Sequence, residues 1–277
     1  MTAAPDNAVL ARIAAALERL SPPGPAAIDW TAHPAYVWDR QGPRAVETLV
    51  APPLDLLRGI AAQKDTVVAN VLRHAAGHAA HDMLLWGARG MGKSALIRGS
   101  IAAAQALHRG CIALVQVAPD ALSGLTGLFA ALGRIDRRFL VYIDDLGFED
   151  GDGTGPRQLR SWLEGGVEAR PVNVRLAVTA NRRAIVPRHL SEQDDPINPR
   201  DAVDDKLALA DRFGLSVGFH NCSQDDYLAI IAGYAAEYGL TFADGDALEW
   251  AKRRGARSGR VAWQFVTELA GRASRAI

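Results

Sequence analysis

Apolar residues recur along this chain in two rhythms, one suited to helices and one to strands. Leu10, Ile13, Leu17 and Leu20 return at three- and four-residue steps, so residues 7–20 read as an amphipathic helix. Ser21-Pro22-Pro23-Gly24-Pro25 ends it, because proline lacks an amide hydrogen and its ring crowds the preceding turn. Residues 26–50 show no period and read as irregular, with Trp30, Tyr36 and Trp38 as aromatic anchors onto a neighbouring domain. Pro52-Pro53 closes that stretch, and a helix is expected from about 61 to 78.

The middle of the chain changes character. Short, nearly continuous apolar runs lie at 83–86, 112–117, 139–143, 174–179 and 215–219, with helical stretches such as 94–107 and 157–168 between them. Strands that are apolar on both faces and alternate with helices belong to a parallel sheet covered on both sides. Ligands of such sheets sit at the carboxyl ends of the strands. After about residue 223 the strands cease. Three helices are expected, at 225–238 (with Tyr227, Ile230, Ile231 and Tyr234 on one face), 244–254 and 261–273. A helical unit of about 55 residues is marginal alone, so it is expected to pack on the sheet domain. The expected division is therefore 1–50, an N-terminal extension, 51–220, a core, and 221–277, a small helical domain.

Composition narrows the function classes. Of 277 residues, 49% are apolar, enough for a sizeable core and incompatible with global disorder. The formal net charge is zero, so no overall basic bias demands nucleic acid. One local run, Lys252-Arg253-Arg254 with Arg257 and Arg260 following, keeps nucleic acid open as a partner. Cys111 and Cys222 are the only cysteines and have no metal or disulfide spacing. With Asp6 and Arg12 near its start and no apolar run of about 18 residues, the chain is expected to have neither signal peptide nor membrane span, and to be cytoplasmic. His74, His78 and His81 sit at helical spacing but read as an exposed helix end rather than a metal site. Residues 150–156, Asp-Gly-Asp-Gly-Thr-Gly-Pro, have the composition of part of a calcium loop but not its spacing.

The chemistry concentrates at 83–95. An apolar run stops at Gly87, then Ala88, Arg89, Gly90, Met91, Gly92, Lys93, Ser94 and Ala95 lead into a helix. Gly87, Gly92, Lys93 and Ser94 fit the phosphate-loop pattern without a gap, in the strand-then-helix context it requires. The glycines let backbone N–H groups curl around phosphate oxygens, and the helix N-terminus adds partial positive charge. Lys93 can reach the outer phosphates, and the Ser94 hydroxyl can ligate Mg²⁺. About fifty residues later an apolar strand ends in Asp144-Asp145. Asp144 is the candidate metal-side acid and Asp145 the candidate base, with Glu149 a weaker one. A further strand ends at Asn181, whose amide can meet the γ-phosphate or the attacking water, and Asp211-Arg212-Phe213-Gly214 precedes the last strand.

With these residues together, the chain resembles an AAA+ ATPase. The resemblance implies a three-layer αβα phosphate-loop core with a parallel five-stranded sheet and a C-terminal all-helical lid. It implies ATP and Mg²⁺ as cofactors, Asn181 as sensor 1, Arg212 as arginine finger and Arg260, in Ser258-Gly259-Arg260-Val261-Ala262, as sensor 2. Leu57 to Ile60 would line the adenine pocket. More narrowly, residues 84–90, 163–171, 181–183 and 211–214 resemble a poorly characterised bacterial domain-of-unknown-function group of AAA+-like ATPases, over roughly residues 50–275. Where many AAA+ enzymes have Asp-Glu, this chain has Asp144-Asp145; the shorter second acid is compatible with slow hydrolysis.

The leading expectation is a Mg²⁺-dependent ATPase that assembles with itself, as a hexamer in one reading, and remodels or loads a macromolecular partner. The alternative is a slow or non-hydrolysing ATP switch. A small-molecule kinase is a third reading. Arg182, Arg183 and Arg188 would supply its charge, but no acceptor signature is visible.

Overall fold

The computed structural model describes residues 28–147, 170–181 and 210–277, together with Arg12 and Leu163. Apart from Arg12 and Leu163, the helices expected at 7–20 and 157–168, the run 150–156, and Glu149, Arg182, Arg183 and Arg188 lie outside the described residues.

A single sheet organises the described chain. Its strands are β1 (Ala35–Asp39), β2 (Gly42–Val46), β3 (Met83–Gly87), β4 (Ile112–Val117), β5 (Arg138–Ile143), β6 (Val174–Ala180) and β7 (Leu215–Phe219). They lie in the order β2-β1-β4-β5-β6-β3-β7. The five expected strands are all present and mutually parallel. The expectation of a five-stranded sheet is nevertheless corrected to seven. β1 adds parallel to β4, and β2 pairs antiparallel with β1. Residues 35–46 are thus a hairpin of the sheet rather than irregular chain. Tyr36 explains the first strand: it is buried, and its hydroxyl donates to the Asp29 carbonyl at 2.7 Å. The turn is made by Asp39, whose carboxylate accepts from the Gln41 amide at 2.8 Å, and by Gly42 at φ 110°. The Trp38 carbonyl accepts from Ala118 N–H at 2.9 Å, which locks β1 against the end of β4.

Side-chain alternation splits the sheet into two apolar layers. On one face Leu85, Leu114, Leu140, Tyr142 and Ala177 pack with helices α1 (Ala61–Ala75) and α2 (Lys93–Leu107). On the other, Leu84, Val115, Val141, Ile143 and Val178 pack against α3 (Leu125–Leu132). Arg137 ties the incoming chain down, donating to the carbonyls of Trp30 at 2.9 Å and His33 at 2.8 Å.

The C-terminal helices are α4 (Gln224–Glu237), α5 (Asp244–Arg254) and α6 (Gly259–Arg272). Ser223 and Asp226 form a reciprocal capping box at the start of α4, satisfying two amides that the helix leaves without intrahelical partners. Ser258 caps α6 through the Val261 amide. The apolar faces of these helices (Tyr227, Ile231, Ala247, Phe265, Val266) belong to the same cluster as Leu57, Ile60 and α2. The small helical unit therefore has no core of its own and packs on the sheet domain.

His74 departs from its expected place. It is buried, not at an exposed helix end, and its Nε2 donates to the Phe139 carbonyl at 3.0 Å. It falls seven residues after Val67 and three after Val71, on the inward stripe of α1. Burial pushes its pKa down from 6.5 to about 4, and the nearby Arg175, Arg138 and Arg170 add to the effect. His74 is thus neutral in the fold, whereas an unfolded chain takes up a proton below about pH 6.5. Its contribution, on the order of 3 kcal/mol for such a shift, is present above pH 6.5 and is lost as pH falls from 6.5 towards 4. His74→Gln should therefore lower the melting temperature most at neutral pH, with the difference from wild type shrinking on acidification. Thermal melts of both proteins from pH 7.5 to 4.5 read this directly.

Candidate functional site

The phosphate loop runs from the end of β3 into α2, and glycine is required at specific points along it. Gly87 has φ 120°, and a Cβ there would overlap the Phe219 carbonyl oxygen. That carbonyl instead accepts from Ala88 N–H at 2.8 Å, so the loop springs from β3 in contact with the end of β7. Gly92 adopts the left-handed conformation as the N-cap of α2. Lys93 is buried, and its ammonium donates to the carbonyls of Gly87 at 2.8 Å and Ala88 at 2.9 Å. Burial pulls its pKa below the ordinary lysine range, while Asp145 and Asp144 oppose the shift.

Facing the loop is a row of polar groups at the carboxyl ends of β5 and β6. The register pairs Ile143 with Val178, which sets Asp144 beside Thr179. Asp144 Oδ1 accepts from Ser94 Oγ at 2.8 Å and from Thr179 Oγ1 at 2.6 Å. Burial alone would raise the Asp144 pKa. Hydrogen bonding, led by that from Thr179, outweighs burial and holds the carboxyl below its usual range. Thr179 Oγ1 also accepts from Asp145 N–H at 2.8 Å, and Asn181 Nδ2 donates to Asp145 Oδ1. Asp145 itself sits at φ 50°, a left-handed backbone unusual outside glycine. Thr179 was not singled out in the sequence, where its hydroxyl within an apolar run was the only available signal.

The helical unit completes the enclosure. Arg260 N–H donates to the Gly90 carbonyl at 3.0 Å. A Cβ on Gly90 would come within 2.9 Å of Arg260 Cβ and Ser258 Oγ, so the loop and the start of α6 touch through their backbones. Between them lies a cleft of about 900 Å³. Arg89, Gly90, Met91, Gly92, Lys93, Ser94, Ala95, Asp144, Asp145, Asn181 and Arg260 line it. Leu57, Ile60, Ile230, Tyr234 and Trp263 give it an apolar part. Of the residues singled out in the sequence, Gly87, Ala88 and Arg212 do not line it. The first two shape the loop from behind, and Arg212 lies on the turn before β7. Among the described residues no cluster of three or more His, Cys, Asp or Glu is placed to hold a metal.

A family model described as "Protein of unknown function (DUF815)" matches residues 31–273. The chain belongs to the DUF815 family. No protein of curated function matches this family member. Its fold is that of the AAA+ ATPases. A single-residue variant of Thermotoga maritima RuvB superposes with a TM-score of 0.52 at 17% identity, over 82% of this chain and 68% of RuvB. Aeropyrum pernix ORC1, solved in complex with DNA, gives 0.53 at 16% identity, over 84% of this chain and 68% of ORC1. Among the described residues no helix is long and apolar enough to cross a membrane.

The contact between Gly87 and Phe219 tolerates no side chain, because backbone strain and steric overlap add. Gly87→Ala is expected to cost about 3 kcal/mol or more, seen as a fall in melting temperature on the order of 10 °C. Gly127→Ala, exposed within α3 where a Cβ would meet open space, should instead leave the melting temperature the same or raise it by a few degrees, because alanine favours the helix.

Proposed function

We propose that this DUF815 protein is a Mg²⁺-dependent ATPase of AAA+ type that assembles with itself, as a six-membered ring in the leading form, and couples turnover to remodelling or loading of a macromolecular partner. The observation that carries this reading is the hydrogen-bonded row Ser94–Asp144–Thr179–Asp145–Asn181, which ties the phosphate loop to the strand ends and lines one cleft with it. Ser94 Oγ and Asp144 Oδ1 are hard oxygen donors 2.8 Å apart, a set suited to Mg²⁺ and not to softer metals. When bound there, Mg²⁺ would supply charge neutralisation at the outer phosphate oxygens.

In this reading the amides of residues 89–94 and the N-terminus of α2 hold the phosphates. Lys93 exchanges its carbonyl partners for phosphate oxygens. Asp145 orients the attacking water and takes its proton, with Asn181 fixing the carboxylate. Arg260 reaches the same space from the helical lid. Arg212, outside the cleft of its own subunit, is the group that a neighbouring subunit would bring to the developing charge. The partner class is open. ORC1 was solved with DNA and RuvB is a Holliday junction branch migration motor, and the run Lys252, Arg253, Arg254 and Arg257 is exposed here; these support nucleic acid as the first partner to try.

A second reading, a slow ATP-dependent switch, is favoured by one feature. Asp145 is a methylene shorter than glutamate, and one of its oxygens is engaged by Asn181. Partner binding that follows ATP without phosphate release would select it.

Phosphate release with ATP and Mg²⁺ is expected to rise in specific activity with protein concentration and to fall roughly 100-fold or more in Lys93→Ala and in Arg212→Ala. Mixing the two inactive variants should restore part of the activity, because some interfaces then combine an intact Lys93 with an intact Arg212. Activity that is independent of concentration and unaffected by Lys93→Ala would sink the proposal.

A further inference from the structure

The segment after α6 is folded back with more contacts than a frayed helix end needs. The helix closes with Ser274 in the left-handed conformation at φ 53°, Ser274 N–H donating to Gly271 O at 3.0 Å and Arg275 N–H to Ala270 O at 2.9 Å. The Arg275 side chain then crosses to the end of α4. Its guanidinium donates to the carbonyls of Tyr238 at 2.6 Å and Gly239 at 2.7 Å, two groups that a helix terminus leaves without intrahelical partners. Gly239 leaves the room: a Cβ there would lie 2.8 Å from that guanidinium.

This latch directs Ile277 into the cleft, where it lines the wall with Tyr238. Of the four large apolar side chains exposed among the described residues, two line the cleft: Val50, 74% exposed, and Ile277, 39% exposed. They come from segments more than two hundred residues apart, yet both border the same opening. Exposed apolar surface contributed to one cleft by two distant segments is surface for a ligand to cover.

Resting on the ATP-binding reading, we infer that residues 274–277 form a strap in which Arg275 is the latch and Ile277 the outer wall of the base end of the cleft. Val50, Ile277 and the aromatic pair Tyr238 and Trp263 would cover the apolar face of the nucleobase, while the phosphate end, 89–95 with Asp144, makes no use of the strap. The strap therefore governs how tightly the base is held and leaves phosphate binding alone.

Calorimetric titration with Mg²⁺-ATP, and separately with Mg²⁺ and inorganic triphosphate, tests this on wild type, Ile277→Ser and Arg275→Ala. The dissociation constant for ATP should rise about fivefold in Ile277→Ser, from lost apolar cover, and at least as much in Arg275→Ala, with triphosphate binding unchanged. Ile277→Ser alters a partly exposed side chain and should melt like wild type, so it stands even if Arg275→Ala loosens the lid. Unchanged ATP affinity in Ile277→Ser, tighter ATP binding in either variant, or a parallel loss of triphosphate binding in Ile277→Ser would each overturn the strap while leaving ATP binding in place. A wild-type protein that takes up triphosphate but gains nothing from the base would also overturn the strap. One that binds neither would overturn the proposed function itself.

Discussion

The contact of Gly87 with the Phe219 carbonyl is the constraint on which the rest of the site depends. Because no side chain intervenes, β3 and β7 end at the same level, and the chain leaves β3 in a tight curl rather than running on as a strand. That curl delivers Gly92 to the start of α2 in the one conformation that turns the following amides inward. Lys93 and Ser94 then stand on the first turn of a helix buried along one face, so their positions are set by the core and not by loop preference. Opposite them, the pairing of Ile143 with Val178 places Asp144 within reach of both Ser94 and Thr179. The site is thus the meeting of two independent constraints, a backbone contact on one side and a strand register on the other.

The helical lid inherits its position from the same core. Leu57 and Ile60 sit between the sheet domain and the lid in one continuous apolar cluster, and Gly90 meets Arg260 through the backbone. Any movement of the lid must therefore break apolar contacts around Leu57 and Ile60 or slide along them. A ligand that touches both the phosphate loop and the residues of the helical unit in this cleft bridges the two, which is the physical requirement for coupling occupancy to shape.

Much of this was legible in the sequence. The five central strands were, because each is buried on both faces and so carries an uninterrupted apolar run. The phosphate loop was, because glycines with Lys and Ser at fixed spacing have few other uses. The hairpin β1–β2 was not: prolines at 34 and 43 break the local signal, and its stability comes from β4 and from the distant Arg137. Thr179 was invisible for a related reason. Its role exists only through the register between two strands, which no local pattern specifies. His74 could have been found, since its spacing from Val67 and Val71 continues the apolar stripe of α1. Reading the three histidines as a group concealed that.

The hairpin has a consequence for how copies of this chain can meet. The Trp38 carbonyl points to Ala118, so residue 38 turns its backbone groups towards β4 and its partner across the hairpin, Pro43, turns its nitrogen outward, to the edge of the sheet formed by the described residues. That nitrogen carries no hydrogen. A strand from another molecule arriving at β2 would find its row of donors interrupted near the start of a strand only five residues long. Among the described residues, that interruption weighs against pairing of another copy at β2.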